Sequence, residues 1–254
     1  MSDPACRFRF GVEIEVVAEP RELFMPAWTA SQYYERLAEC LRERHLNAIA
    51  DSLCDGHRKH PEHYDKWFIT KDASLGRPIY PLLALEIVSP KLDMNNDWVG
   101  QLRLLWDTLS DVFKKRAKDI RCGSHVHVSP IYNPFTLAEL REIAFAIITY
   151  EDYIYTILPI ERRDHSYCKQ NTQISPVLQN HLMKGKSSQA LKNVRTAIKR
   201  TGDAEELFDV FEKESSLQFT NRVSKIQFRG GADLGEHKKE CRPHGNDLVY
   251  SKRL

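Results

Sequence analysis

The 254-residue chain contains no apolar run near the roughly 20 residues that a bilayer-spanning helix requires. Its first residues, MSDPACRFRF, lack the apolar core of a secretory signal, so a soluble, cytoplasmic protein is expected. No C-x-x-C pair occurs among Cys6, Cys40, Cys54, Cys122, Cys168 and Cys241, which points to free thiols rather than a disulfide framework. Charge of one sign is missing too. With 37 basic and 35 acidic residues the net charge is +2, so no overall field draws the chain to nucleic acid or an anionic membrane. Neither G-x-x-x-x-G-K-[ST] nor G-x-G-x-x-G is present, so neither common phosphate-cradling loop would hold a nucleotide here.

What is present suits one large globular domain with a polar ending: 42% hydrophobic and 28% charged residues can build a sizeable core. In RFRFGVEIEVV, Phe8, Phe10, Val12, Ile14 and Val16 share one face while Glu13 and Glu15 share the other, which is the alternation of a half-buried strand. Helical spacing predicts long helices over Ser31 to Leu53, Asn96 to Lys118 and Thr136 to Leu158, the last opened by a Thr136-x-x-Glu139 capping box and expected to be largely buried. Two polar helices are expected over Ser187 to Lys199 and Asp203 to Glu214. KWFIT, PLLALEIVSP, IRCGSHVHVSP and VSKIQFRGG read as further strands. Residues 231–254 show almost no periodicity and are expected to form a polar C-terminal tail after a domain spanning 1–230.

These strands concentrate chemistry. Glu13 and Glu15, then Glu86, then His125 and His127, then Lys225, Gln227 and Arg229 recur at period 2, where side chains two apart project side by side, roughly 6 to 7 Å apart. Carboxylates held so close repel one another unless a cation or a proton lies between them. Carboxylate with imidazole suits Mg²⁺ or Mn²⁺, which link protein carboxylates to nucleotide phosphates, and Arg162, Arg163 and Arg229 offer guanidinium groups for phosphate oxygens. Solvated surface is the competing explanation for each short motif taken singly.

Taken together, FGVEIE from Phe10, WFITKDASL from Trp67, LEIVSP from Leu85, CGSHVHVS from Cys122, LP-x-x-RR from Leu158 and KIQFR from Lys225 resemble, in that order, the amidoligase family. These carboxylate-amine ligases are distant relatives of glutamine synthetase and glutamate-cysteine ligase. The resemblance implies an α+β, glutamine-synthetase-like antiparallel sheet with helices packed on its outer face, holding ATP and Mg²⁺ or Mn²⁺. It implies that small-molecule or peptide carboxylates are activated as acyl phosphates and captured by an amine. Glu13, Glu15, Glu86 and His125 match the metal positions, and His127 is a close neighbour of His125. Asp72 and Ser74 match the segment that shapes the substrate pocket. Arg163 and Arg229 match positions that meet phosphate or the acyl intermediate. Such chemistry needs charge stabilisation and no protein nucleophile, in keeping with the lack of a Ser-His-Asp arrangement.

Gln227 departs from the pattern, since relatives usually carry glutamate there; an amide offers oxygen without charge and weakens one cation site. Two other readings therefore stay open: a degenerate relative that binds nucleotide or a partner without turnover, and a metal-dependent hydrolase with the same ligands. Cys54, His57, His60 and His63 have a regular spacing but match no zinc motif, and read as a solvated basic loop. Trp67 and Trp98 read as core residues.

Overall fold

A computed structural model of the chain describes residues 8–24, 28–52, 63–116, 121–163, 168–211, 226–228 and 248–252. The alternating opening segment becomes β1 (Phe8–Pro20), the strand on which the molecule is organised. It is followed by α1 (Ala30–Glu43), β2 (Ala48–Ala50), β3 (Trp67–Thr70), a 3-10 turn at Ala73–Leu75, β4 (Leu83–Val88) and β5 (Leu92–Asp93). Next come α2 (Trp98–Val112), β6 (Phe113–Arg116) and β7 (Gly123–Pro130). A helical run follows: α3 (Leu137–Thr156), α4 (Ile160–Arg163), α5 (Asn171–Ile174), α6 (Pro176–Leu182), α7 (Ser188–Arg200) and α8 (Ala204–Asp209). Strands β8 (Ile226–Phe228) and β9 (Leu248–Lys252) complete the described elements.

The strands form one sheet in the order β2-β3-β4-β1-β7-β9-β8, with β5 and β6 paired to β1 beside this path. Every described pairing is antiparallel except β2 with β3, which is parallel, so the sheet is mixed and the expectation of a purely antiparallel one is corrected at that edge. The class is α+β, with α1 and α2 covering one face. There Val12, Ile14, Val16 and Ala18 of β1 cluster with Ile69 of β3, Leu85 and Ile87 of β4 and Tyr34, Leu37, Leu41, Leu105 and Leu109 of the two helices. Each large apolar side chain removed from water there contributes about 1.5–3 kcal/mol. Trp67 is 1% exposed in this core, and Trp98 packs against it, edge-on to Phe10 at 5.4 Å.

Three helix expectations are corrected. The first helix stops at Glu43: His45 turns left-handed at φ 64, and Ala48–Ala50 pairs with β3, its flanks held by Trp67 N to Asn47 O at 2.8 Å and Asp51 N to Ile69 O at 2.8 Å. The second stops at Val112, where Phe113 stays buried while the backbone joins the end of β1 opposite Ala18 and Pro20. The helix expected over Asp203–Glu214 runs from Ala204 to Asp209 and gives way to a turn at Val210 and Phe211, and 212–214 lie outside the described residues.

The third long helix has the expected capping box, but its burial differs. Only a stripe of Leu140, Ala144, Ile148 and Glu151 is buried, because α3 packs on one side alone, against α6, α7 and α8. Tyr150, Tyr153 and Ile157 are 62%, 71% and 60% exposed. The segment expected to be a periodicity-free tail supplies β9, which stands between β7 and β8.

Candidate active site

The face of β1 opposite α1 and α2 carries the charged cluster, and strand register decides its membership. Glu13 stands opposite His125, Gly11 opposite His127, and Glu15 opposite both Gly123 and Glu86. Directly opposed residues of a sheet share a face, so a single surface holds Glu13, Glu15, Glu86, His125 and His127.

Glu13 lies between the two imidazoles. His125 Nδ1 is 3.2 Å from Glu13 Oε2, and His127 Nε2 is 2.9 Å from Glu13 Oε1. His125 Nε2 is also 3.4 Å from Oε1 of Glu15, a carboxylate only 3% exposed. Glu13, His125 and His127 each offer one ligand atom, all within 4.8 Å of one another, which fits one divalent cation. One carboxylate with two imidazoles is a donor set softer than the all-oxygen shell of Mg²⁺ and better matched to Mn²⁺ or a later first-row ion.

The electrostatics divide the carboxylates. Burial alone would raise the Glu13 carboxyl, but hydrogen bonds and charge from His125 and His127 outweigh it and hold Glu13 at about 2. Glu86 is pushed up to about 8, first by burial and then by the like charges of Glu13 and Asp72. The face thus combines a firmly ionised carboxylate with one that gives up its proton readily only when positive charge arrives.

The remaining expected residues spread around this centre. Asp72 Oδ1 accepts from the Ser74 amide at 2.8 Å and Oδ2 accepts from the Ser74 hydroxyl, so Ser74 is bound to Asp72 while the Asp72 charge is felt at Glu86. Arg162 is 5% exposed and its Nη1 donates to the Cys122 carbonyl, one residue before the Gly123–Glu15 pair. Arg163 is directed elsewhere: it donates to Leu158 O at 3.2 Å and Thr156 O at 2.7 Å and lies 5.9 Å from the Tyr155 ring, capping the end of α3 rather than joining the sheet-face cluster. The register of β8 sets Gln227 opposite Val249, and Val249 stands opposite His127. Lys225 and Arg229 lie outside the described residues, as do Cys54, His57 and His60; the His63 ring lies tilted against Phe68, centroids 5.2 Å apart.

Two neighbours of the site carry no signal that sequence spacing could reveal. Asp51 accepts from the Thr70 hydroxyl at 2.6 Å, and Thr70 is opposite Glu86, but helical spacing runs on through Asp51 and hides the strand edge beside it. Arg121, just ahead of β7, donates to the Leu75 carbonyl in the Asp72 turn, and no periodicity marks it.

Among known families, the model described as "Putative amidoligase enzyme" matches residues 7–234, nearly the whole span of the sheet and helices described above. The chain belongs to the amidoligase family. No curated protein matches it. Every strand contributing to the cluster falls inside the matched span, so the amidoligase match and the sheet-face geometry concern the same residues. Among the described residues of this amidoligase-family chain no helix is long and apolar enough to cross a membrane, and Cys40 is a free thiol.

Proposed function

We propose that the protein is an ATP-dependent carboxylate-amine ligase with a glutamine-synthetase-like sheet, acting in the cytoplasm through an acyl-phosphate intermediate. The observation that carries this reading is the Glu13–His125–His127 triad standing beside Glu15 and Glu86 on one polar sheet face of an amidoligase-family chain. Glu13, Glu15, Glu86 and His125 would hold Mn²⁺ or Mg²⁺, with His127 completing the set. A divalent cation there supplies positive charge to the phosphate oxygens of ATP and to the oxygens on which charge develops.

The reaction follows from these parts. A carboxylate oxygen of the first substrate attacks the γ-phosphorus of ATP, the bond to the β-γ bridging oxygen breaks, and ADP leaves. The amine nitrogen then attacks the acyl carbon, inorganic phosphate departs with the carbon–oxygen bond pair, and a proton is lost from nitrogen. The chain positions the partners and holds charge; none of its side chains need become covalently bound. Small-molecule or peptide carboxylates and amines are the substrate class.

Hydroxylamine provides a direct test because it captures acyl phosphates as hydroxamates. With a panel of amino-acid and peptide carboxylates, hydroxamate must form only with ATP and Mn²⁺ or Mg²⁺, and Glu13→Gln must abolish it. Product formation without ATP would replace the ligase reading by a metal-dependent hydrolase; metal-dependent binding of a non-hydrolysable ATP analogue without any hydroxamate would replace it by a non-turning-over binder.

A further inference from the structure

Three long-range hydrogen bonds converge on the two residues that precede β7. Arg121 Nη1 donates to the Leu75 carbonyl, Arg162 Nη1 donates to the Cys122 carbonyl, and the Val17 amide donates to Cys122 Sγ at 3.2 Å. The strand that carries His125 and His127 is therefore tied at its start to the Asp72 turn, to α4 and to β1.

The Asp72 turn has a defined shape of its own. Its side chain caps the Ser74 amide at 2.8 Å, and the Gly76 amide donates to Ala73 O at 3.0 Å. Leu75 is fully buried against Val17 and Ala84. Gly76 has a φ of +67, which requires glycine, and a Cβ there would meet Arg121 Nη1 at 3.0 Å, so the guanidinium would have to shift slightly to admit a side chain. These local bonds fix the shape of the turn. Burial of Leu75 against Val17 and Ala84 seats the turn on β1 and β4, and the bond from Arg121 to Leu75, across 46 residues of sequence, ties it directly to the start of β7.

We propose that Arg121 is a positioning residue that fixes the Asp72 turn against the Glu13–His125–His127 centre and so sets where the Asp72 carboxylate stands relative to a cation held there. The inference rests on the reading of the sheet face as the active site. A guanidinium is well suited to this role, because it stays charged at any working pH and a charge-assisted bond to a carbonyl is roughly twice as strong as a neutral one. Thr70 stands opposite Glu86 and Asp72 follows two residues beyond it, so the turn leaves the end of β3 beside the same carboxylate.

The test uses the full-length ¹⁵N-labelled chain as wild type, Arg121→Gln and Arg121→Lys, with Mn²⁺ alone as the probe. In Arg121→Gln the Ser74 and Gly76 amides should exchange about tenfold faster. Mn²⁺ affinity should be unchanged, and the Mn²⁺-induced broadening of the Ser74 amide should fall; Arg121→Lys, which keeps a charged donor, should recover part of both effects. Unchanged broadening in Arg121→Gln overturns the inference, whether or not exchange quickens, since the turn would then keep its place without the arginine. A wild type that shows no Mn²⁺ response sinks the reading of the sheet face itself, a different result from a wild type that responds and a variant that matches it.

Discussion

Glu86 makes the stability of the metal-free protein depend on pH in a direction opposite to that of most carboxylates. Burial and the charges of Glu13 and Asp72 raise it from 4.5 to about 8, so between those values the folded state keeps a proton that the unfolded chain releases. The associated stability is fully present below pH 4.5 and is lost as pH rises through 8. At about 1.4 kcal/mol per pH unit, the loss between pH 5 and 7.5 is about 3 kcal/mol. Glu86→Gln keeps the shape of the protonated acid and cannot ionise, so it should erase this dependence. Urea denaturation in EDTA, run on both proteins across that range, reads the difference directly. The wild type should weaken relative to Glu86→Gln as pH rises, and Mn²⁺ should remove the gap by favouring the carboxylate. Parallel pH profiles for the two proteins in EDTA would refute the reasoning, because they would mean that Glu86 ionises in the fold as freely as in water.

Glu13 should behave in the opposite sense. Its folded value of about 2 lies below the ordinary 4.5, so it contributes stability above pH 4.5 that is lost as pH falls toward 2, up to about 3 kcal/mol, and melts of wild type and Glu13→Gln should converge in acid. His127→Ala removes one of three converging ligand atoms and should weaken Mn²⁺ binding at least about tenfold by calorimetry, with no comparable loss of fold stability. In the helical layer, Lys186 Nζ lies 3.2 Å from Glu151, itself 1% exposed, and 2.9 Å from Asp152. Lys186→Ala removes the cation beside the buried carboxylate and should cost about 3 kcal/mol by chemical denaturation; a cost near zero would show that the ion pair does not hold this layer together.

The fold is legible in the sequence wherever local pattern and tertiary pairing agree. Val12, Ile14 and Val16 alternate with Glu13 and Glu15, and the strand that forms from them buries the first set under α1 and α2 while the second set lines the site. The Thr136 and Glu139 pair caps α3 as its spacing predicts, through mutual side-chain and backbone bonds. Legibility fails where apolar spacing continues past a change of backbone. Leu46 and Ala50 extend the helical period of α1, and Phe113 that of α2, yet both stretches are claimed by sheet edges whose hydrogen bonds come from residues far away in sequence. Periodicity records which residues seek the core; it does not record which neighbour supplies the backbone partners.

The site shows the same division at finer grain. That Glu13, Glu15, Glu86, His125 and His127 share a face follows from period 2 alone, once the strands are paired. That Glu13, rather than Glu15, receives both imidazoles depends on register: Glu13 faces His125 across the ladder and Gly11 faces His127, whereas Glu15 faces Gly123 and Glu86. A slip of two residues would keep every charged group on the same face and yet hand the histidines to a different carboxylate. The two arginines after Leu158 make the point again. They are adjacent and identical in type, but Arg162 is buried against the start of β7 while Arg163 closes the end of α3, because successive residues of a short helix point in different directions. Residue type and spacing can nominate a charged group for a site; its chemical role is decided by which backbone atoms the tertiary fold brings within reach.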